Sequence, residues 1–148
     1  MTFLVPFDGS RLAVTALDRA SEFGADRDEG VVALTVVPED AEYARERGWL
    51  GSEETFDVDR VASRLSQQVA DRAPDATFRY VTVTASDPVA STTLEIVRAI
   101  REVAVEVDAT VLFIGSENAG RVSTPVTSVG SPISEDPQYD VHIVRHPA

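Results

Sequence analysis

Two rhythms of apolar residues alternate along this chain. Short runs at residues 2–7 (TFLVPF), 31–37 (VVALTVV) and 110–114 (TVLFI) are apolar almost throughout. Their length and β-branched content suit strands covered on both faces. Between them, apolar positions recur every three or four residues, the period of a helix with one buried side. Leu12, Ala13, Ala16, Leu17, Ala20 and Phe23 make the first such stripe, and Val58, Val61, Leu65 and Val69 the second. The third runs from Val89 through Ile96, Val97, Ile100 and Val103 to Val107. Helices are therefore predicted at 11–24, 56–72 and 89–107. Ser10 is placed to cap the first, and Gly24 sits where it should stop. Residues 77–84 (TFRYVTVT) alternate more strictly, as suits a strand near a sheet edge, and 141–144 (VHIV) read as the last strand.

From 39 to 57 the periodicity weakens. A short helical piece at 41–48 followed by Trp49, Leu50, Gly51 and Ser52 reads as a surface excursion. The order is then βαβαβαβ, a loop with a short helix, and β. Strands alternating with helices of this length predict a doubly wound, Rossmann-like α/β fold with right-handed crossovers. Its five-stranded, mainly parallel sheet would carry helices on both faces. No repeat or linker interrupts residues 1–148, which read as one domain.

Charge narrows the function classes. Asp and Glu outnumber basic residues 25 to 13, giving a net charge of −12, and every basic residue is Arg. Such a surface repels phosphate backbones and removes the usual basis for nucleic-acid binding. The carboxylates are spread along the chain, and salt screens their mutual repulsion. This balance points to a halophilic source. No run approaches the about 18 apolar residues of a membrane span, and no signal peptide is visible, so a cytoplasmic location is expected. Without cysteine there is no disulfide, thiolate metal site or thiol nucleophile.

In an open α/β sheet, ligands bind beyond the carboxyl ends of the strands where strand order reverses. Two loops carry suitable residues: Asp8, Gly9 and Ser10 after the first strand, and the stretch from Gly115 through Gly120 to Gly130, Ser131 and Pro132 after the fourth. Gly130 permits close backbone approach, Ser131 can cap, and Pro132 suits a first helical position. Free N–H groups at such a helix start attract anions, although the triplet equally well caps a short helix and nothing more. Asp8 has a second reading too, as the organiser of its own turn.

VPFDGS at the end of the first strand, LTVV at the end of the second and IGS…G…GS after the fourth resemble the universal stress protein family. The resemblance covers the whole chain in element order and implies the adenine nucleotide alpha hydrolase-like form of the fold, in a halophilic archaeal member. It implies a bound adenine nucleotide, ATP with or without Mg²⁺, in a signalling or regulatory stress-response role. By the same resemblance Asp8 would contact the nucleoside, the Val36 backbone would meet adenine, and Gly115, Gly120, Gly130 and Ser131 would form the ribose–phosphate loop. A homodimer through Val141, His142, Ile143 and Val144 is also implied. This last strand is short, apolar and placed at a sheet edge, which invites a second strand.

Gly120 and Gly130–Ser131 keep the family's spacing of nine intervening residues, whereas four residues separate Gly115 from Gly120 where the family has two. Asn118 stands where a glycine is expected, and Glu117 and Pro125 occupy the loop. These departures keep a second reading open, a non-nucleotide dimeric scaffold acting through protein partners. A P-loop is excluded for want of lysine. No G-x-S-x-G elbow occurs, and His142 and His146 lie at the last strand, away from any serine elbow. No spacing specifies a metal site. Catalysis beyond slow ATP hydrolysis is not expected.

Overall fold

A computed structural model describes residues 2–84, 92–116 and 138–147. Five strands form one sheet: β1 (Thr2–Pro6), β2 (Gly30–Pro38), β3 (Thr77–Val83), β4 (Ala109–Gly115) and β5 (Asp140–Val144). Their order is β3-β2-β1-β4-β5, and every pairing is parallel. The sheet is thus wholly parallel, and β3 and β5 are its two edges.

Among the described residues, four helices pack on it: α1 (Arg11–Arg27), α2 (Ala41–Glu46), α3 (Val58–Arg72) and α4 (Thr92–Glu106). On one face, Leu17 and Ala20 of α1 and Val61, Leu65 and Val69 of α3 meet Phe3, Val5, Val37 and Phe113. On the other, Val97, Ile100 and Val103 of α4 meet Leu4, Leu34, Leu112 and Ile114. Alternation along the strands divides the side chains between the two faces. β1, β2 and β4 therefore read as unbroken apolar runs because both of their faces are covered. Among the described residues, no helix is long and apolar enough to cross a membrane.

Three sequence expectations shift. α1 does not end at Gly24 but continues to Arg27, and Asp28 closes it in the left-handed conformation (φ 55°). Gly24 is there for space: a Cβ would stand 2.9 Å from Glu29 O and 3.1 Å from Val31 Cγ2. α3 starts two residues later than its periodicity suggests, because Asp57 caps it by accepting the Asp59 N–H. The segment after β2 is not a surface excursion. Ala44, Trp49 and Leu50 are buried and join the core on the α1–α3 face.

Candidate crevice at the switch point

Strand order reverses at β1, from which the chain goes left to β2 and β3 and right to β4 and β5. On the left, β1 pairs with β2 as far as Pro6↔Leu34, and the Phe7 N–H adds a bond to Leu34 O at 2.7 Å. On the right, pairing ends at Leu4↔Leu112, although β4 continues through Gly115. Pro6 explains the asymmetry. Backbone groups alternate sides along a strand, and Phe7 donates toward β2, so position 6 faces β4. Proline has no N–H to donate there. Ladder pairing of the two central strands consequently ends at Leu4↔Leu112, before β4 does.

The same alternation fixes the neighbouring edge. Leu34 O faces β1, so the N–H and C=O of Val36 face that side as well, beyond the last β1–β2 bond. Phe7 O accepts the hydroxyl of Thr35 at 2.7 Å, and Thr35 is fully buried. Leu34 and Val36 from β2, Ile114 from β4, and Ile96, Val97 and Ile100 from α4 give the crevice an apolar wall. Thr93, near the start of α4, and Ser10 add hydroxyls.

The Asp8 corner builds the mouth. Gly9 has φ 80°, which a residue with a Cβ rarely adopts. Asp8 Oδ1 accepts the Ser10 N–H at 2.9 Å, and Ser10 Oγ caps α1 by accepting the Ala13 N–H at 3.2 Å. Asp8 Oδ2 lies 3.4 Å from the Arg47 guanidinium. Asp8 O accepts the Trp49 indole N–H at 2.7 Å. Arg47 sits over the Tyr43 ring, 4.7 Å from its centroid, and Tyr43 meets Trp49 edge-on at 5.7 Å. Burial raises the Tyr43 pKa above its usual 10, with the Arg47 charge pulling the other way.

This corner is clipped to α3 from outside. Arg64 donates to Trp49 O at 2.9 Å and grips both oxygens of Glu54 at 3.0 and 2.7 Å. With the Arg64 bonds first, then the Gly51 N–H and the charges of Arg64 and Arg60, the Glu54 carboxyl falls to a pKa of about 2.

With this geometry in hand, comparison with known proteins is direct. The Universal stress protein family model matches residues 1–145. The chain belongs to the universal stress protein family.

Solved structures agree on the fold. A universal stress protein in complex with cAMP is 23% identical, with a TM-score of 0.57, covering 100% of this chain and 98% of that one. A family member from Burkholderia pseudomallei is 22% identical with a TM-score of 0.51, over 99% of this chain and 96% of that one. The universal stress protein from Archaeoglobus fulgidus in complex with dAMP is 17% identical with a TM-score of 0.53, over 97% and 95%. No curated protein matches the chain by sequence.

In this universal stress protein, three of the residues singled out from sequence line one crevice: Asp8, Val36 and Gly115. Gly120, Gly130 and Ser131 lie outside the described residues, as do Glu117, Asn118 and Pro125. Gly115 has a packing reason of its own, since a Cβ there would stand 3.0 Å from Leu12 Cβ at the start of α1. Sequence reasoning missed Tyr43, Arg47 and Trp49, all of which line the crevice. The available signal was an aromatic and a cation four residues apart, followed by the chain's one tryptophan. At the far edge, His142 stacks on Phe113 at 4.9 Å and meets Phe23 edge-on at 5.5 Å. Burial first, then the nearby Arg19 charge, lowers its pKa below 6.5. His142 packs among aromatic rings at this edge of the sheet.

Proposed function

We propose that this protein binds an adenine nucleotide, ATP with Mg²⁺, in the crevice between β1 and β4, and uses it as a regulatory signal in a stress response. The reading rests on the end of β2 beyond its last bond to β1, where Val36 lines the crevice. Val36 turns an N–H and a C=O toward a slot with apolar walls. An adenine ring needs such a pair, one acceptor and one donor beside a flat apolar surface. Asp8 stands at the mouth with a carboxylate oxygen for a ribose hydroxyl, and Gly115, Gly120, Gly130 and Ser131 would serve the ribose and phosphates. The relatives solved with cAMP and dAMP support the ligand class.

The test is thermal melting in molar KCl with saturating Mg-ATP, GTP or no ligand. A ligand at 100 times its Kd stabilises by about 2.7 kcal/mol, which for this size raises the Tm by several degrees, at roughly 2–4 °C or slightly more per kcal/mol. ATP should give that shift and GTP should not. If millimolar ATP gives neither a shift nor calorimetric heat, the scaffold reading replaces this one. One observation already favours that alternative: both Asp8 oxygens have partners within the protein.

Two further features belong to the proposal. β5 is a sheet edge, and Ile143 on it is 37% exposed. This supports a homodimer through Val141, His142, Ile143 and Val144, and Ile143→Lys should reduce the solution mass to that of one chain. If the mass stays that of a dimer, the interface lies elsewhere. The charge of −12 without lysine supports adaptation to high salt in a halophilic archaeon. The Tm should then rise substantially from dilute buffer to molar KCl, where the Debye length falls to about 3 Å. A flat or falling Tm would remove that part.

A further inference from the structure

An anionic ligand entering a protein of charge −12 meets a repulsive field, so the charges lining the entrance decide what enters. Among the described residues that line the crevice, one is anionic, Asp8, and one is cationic, Arg47. They face each other across 3.4 Å, longer than a good charge-assisted hydrogen bond. The Arg47 side chain is 41% exposed. A pair so long and so open is weakly held.

The guanidinium itself is well placed. Its plane lies over Tyr43, Tyr43 packs on buried Trp49, and the Trp49 indole is bonded to the backbone of Asp8. Arg64 and Glu54 hold the Trp49 backbone from the other side. The guanidinium is thus held at the mouth, where among the described residues its side-chain partners are the Asp8 oxygen at 3.4 Å and Tyr43. An arginine has five donors in a planar fork that matches two oxygens of a phosphate group.

We propose that Arg47 selects phosphorylated ligands, exchanging its contact with Asp8 for the phosphate oxygens of the bound nucleotide. This rests on the nucleotide reading above and adds to it a residue outside the glycine loop. The exchange also frees Asp8 Oδ2 to accept from the nucleoside, so one movement supplies a cation to the phosphate and an acceptor to the sugar. A neutral nucleoside has no group that competes for the fork and leaves the pair in place.

Calorimetry with adenosine, AMP and Mg-ATP on wild type, Arg47→Gln and Arg47→Lys tests this at constant ionic strength. In wild type both nucleotides should bind more tightly than adenosine. Arg47→Gln should lower the nucleotide-to-adenosine affinity ratio by about tenfold, as expected for loss of a hydrogen bond to a charged group, with adenosine affinity retained. Arg47→Lys should fall between, keeping the charge without the fork. Melting without ligand checks that each variant is folded. An affinity ratio in Arg47→Gln within about twofold of wild type, or an equal loss for adenosine and nucleotides, overturns the proposal while leaving the nucleotide reading intact. If wild type binds none of the three, the nucleotide reading itself falls and takes this one with it.

Discussion

On its β2 flank, β1 hydrogen-bonds through Phe7, and the buried Thr35 hydroxyl closes the end of the seam. On its β4 flank it stops at Leu4, and Phe113, Ile114 and Gly115 run on without it. Both flanks are parallel, central and covered by helices. The difference lies in which backbone groups are available, and one residue decides that. On this flank the crevice begins in the strands themselves. There the central strand runs out of donors on one side before its neighbour ends.

This comparison can be broken on the closed flank first. Thr35→Val keeps the shape of the side chain but removes the donor to Phe7 O. A buried acceptor left without a partner costs about 2 kcal/mol, and chemical denaturation should show a loss of that order. A loss below about 0.5 kcal/mol would mean that the β2 flank closes without this bond.

The open flank gives the smaller effect. Gly115→Ala places a methyl 3.0 Å from Leu12 Cβ, so the start of α1 has to move by a few tenths of an ångström. That overpacking should cost about 1 kcal/mol. It should also shift the Asp8 corner, which α1 carries through Ser10. A neutral or stabilising Gly115→Ala would show that β4 and α1 have slack there, and that Gly115 is not kept small by packing.

Strand and helix identity was legible because local pattern and global placement agree in this chain. The runs at β2 and β4 are apolar because both sides of the sheet are covered, and the stripes of α1, α3 and α4 face it. The edge position of β3 showed in its alternation, which its exposure pattern matches. Gly24 misled because a helical glycine can end a helix or admit a neighbour, and sequence alone does not separate the two. The segment after β2 was misread for a related reason. α2 has six residues, too few for a periodicity to emerge, and its one fully buried side chain is an alanine. The burial of Trp49 and Leu50 is created by tertiary contact with α3 and the Asp8 turn.

At the site, Asp8, Val36 and Gly115 line one crevice. Chain order alone puts them at the ends of adjacent strands. Arg47 was harder to find because its contact with Asp8 joins residues 39 positions apart. Asp8 organises its turn through Ser10, one of the two roles considered for it, and it also lines the crevice.

Pro6 has one more consequence. Two ordinary parallel strands parted at their ends would tend to zip together when nothing lies between them, and an incoming molecule would first have to unzip them. Position 6 can never supply the missing donor, whatever the temperature, salt or occupancy. The slot between these strand ends therefore cannot close by completing that hydrogen bond. Completing that seam is thus not a step that an incoming ligand has to reverse.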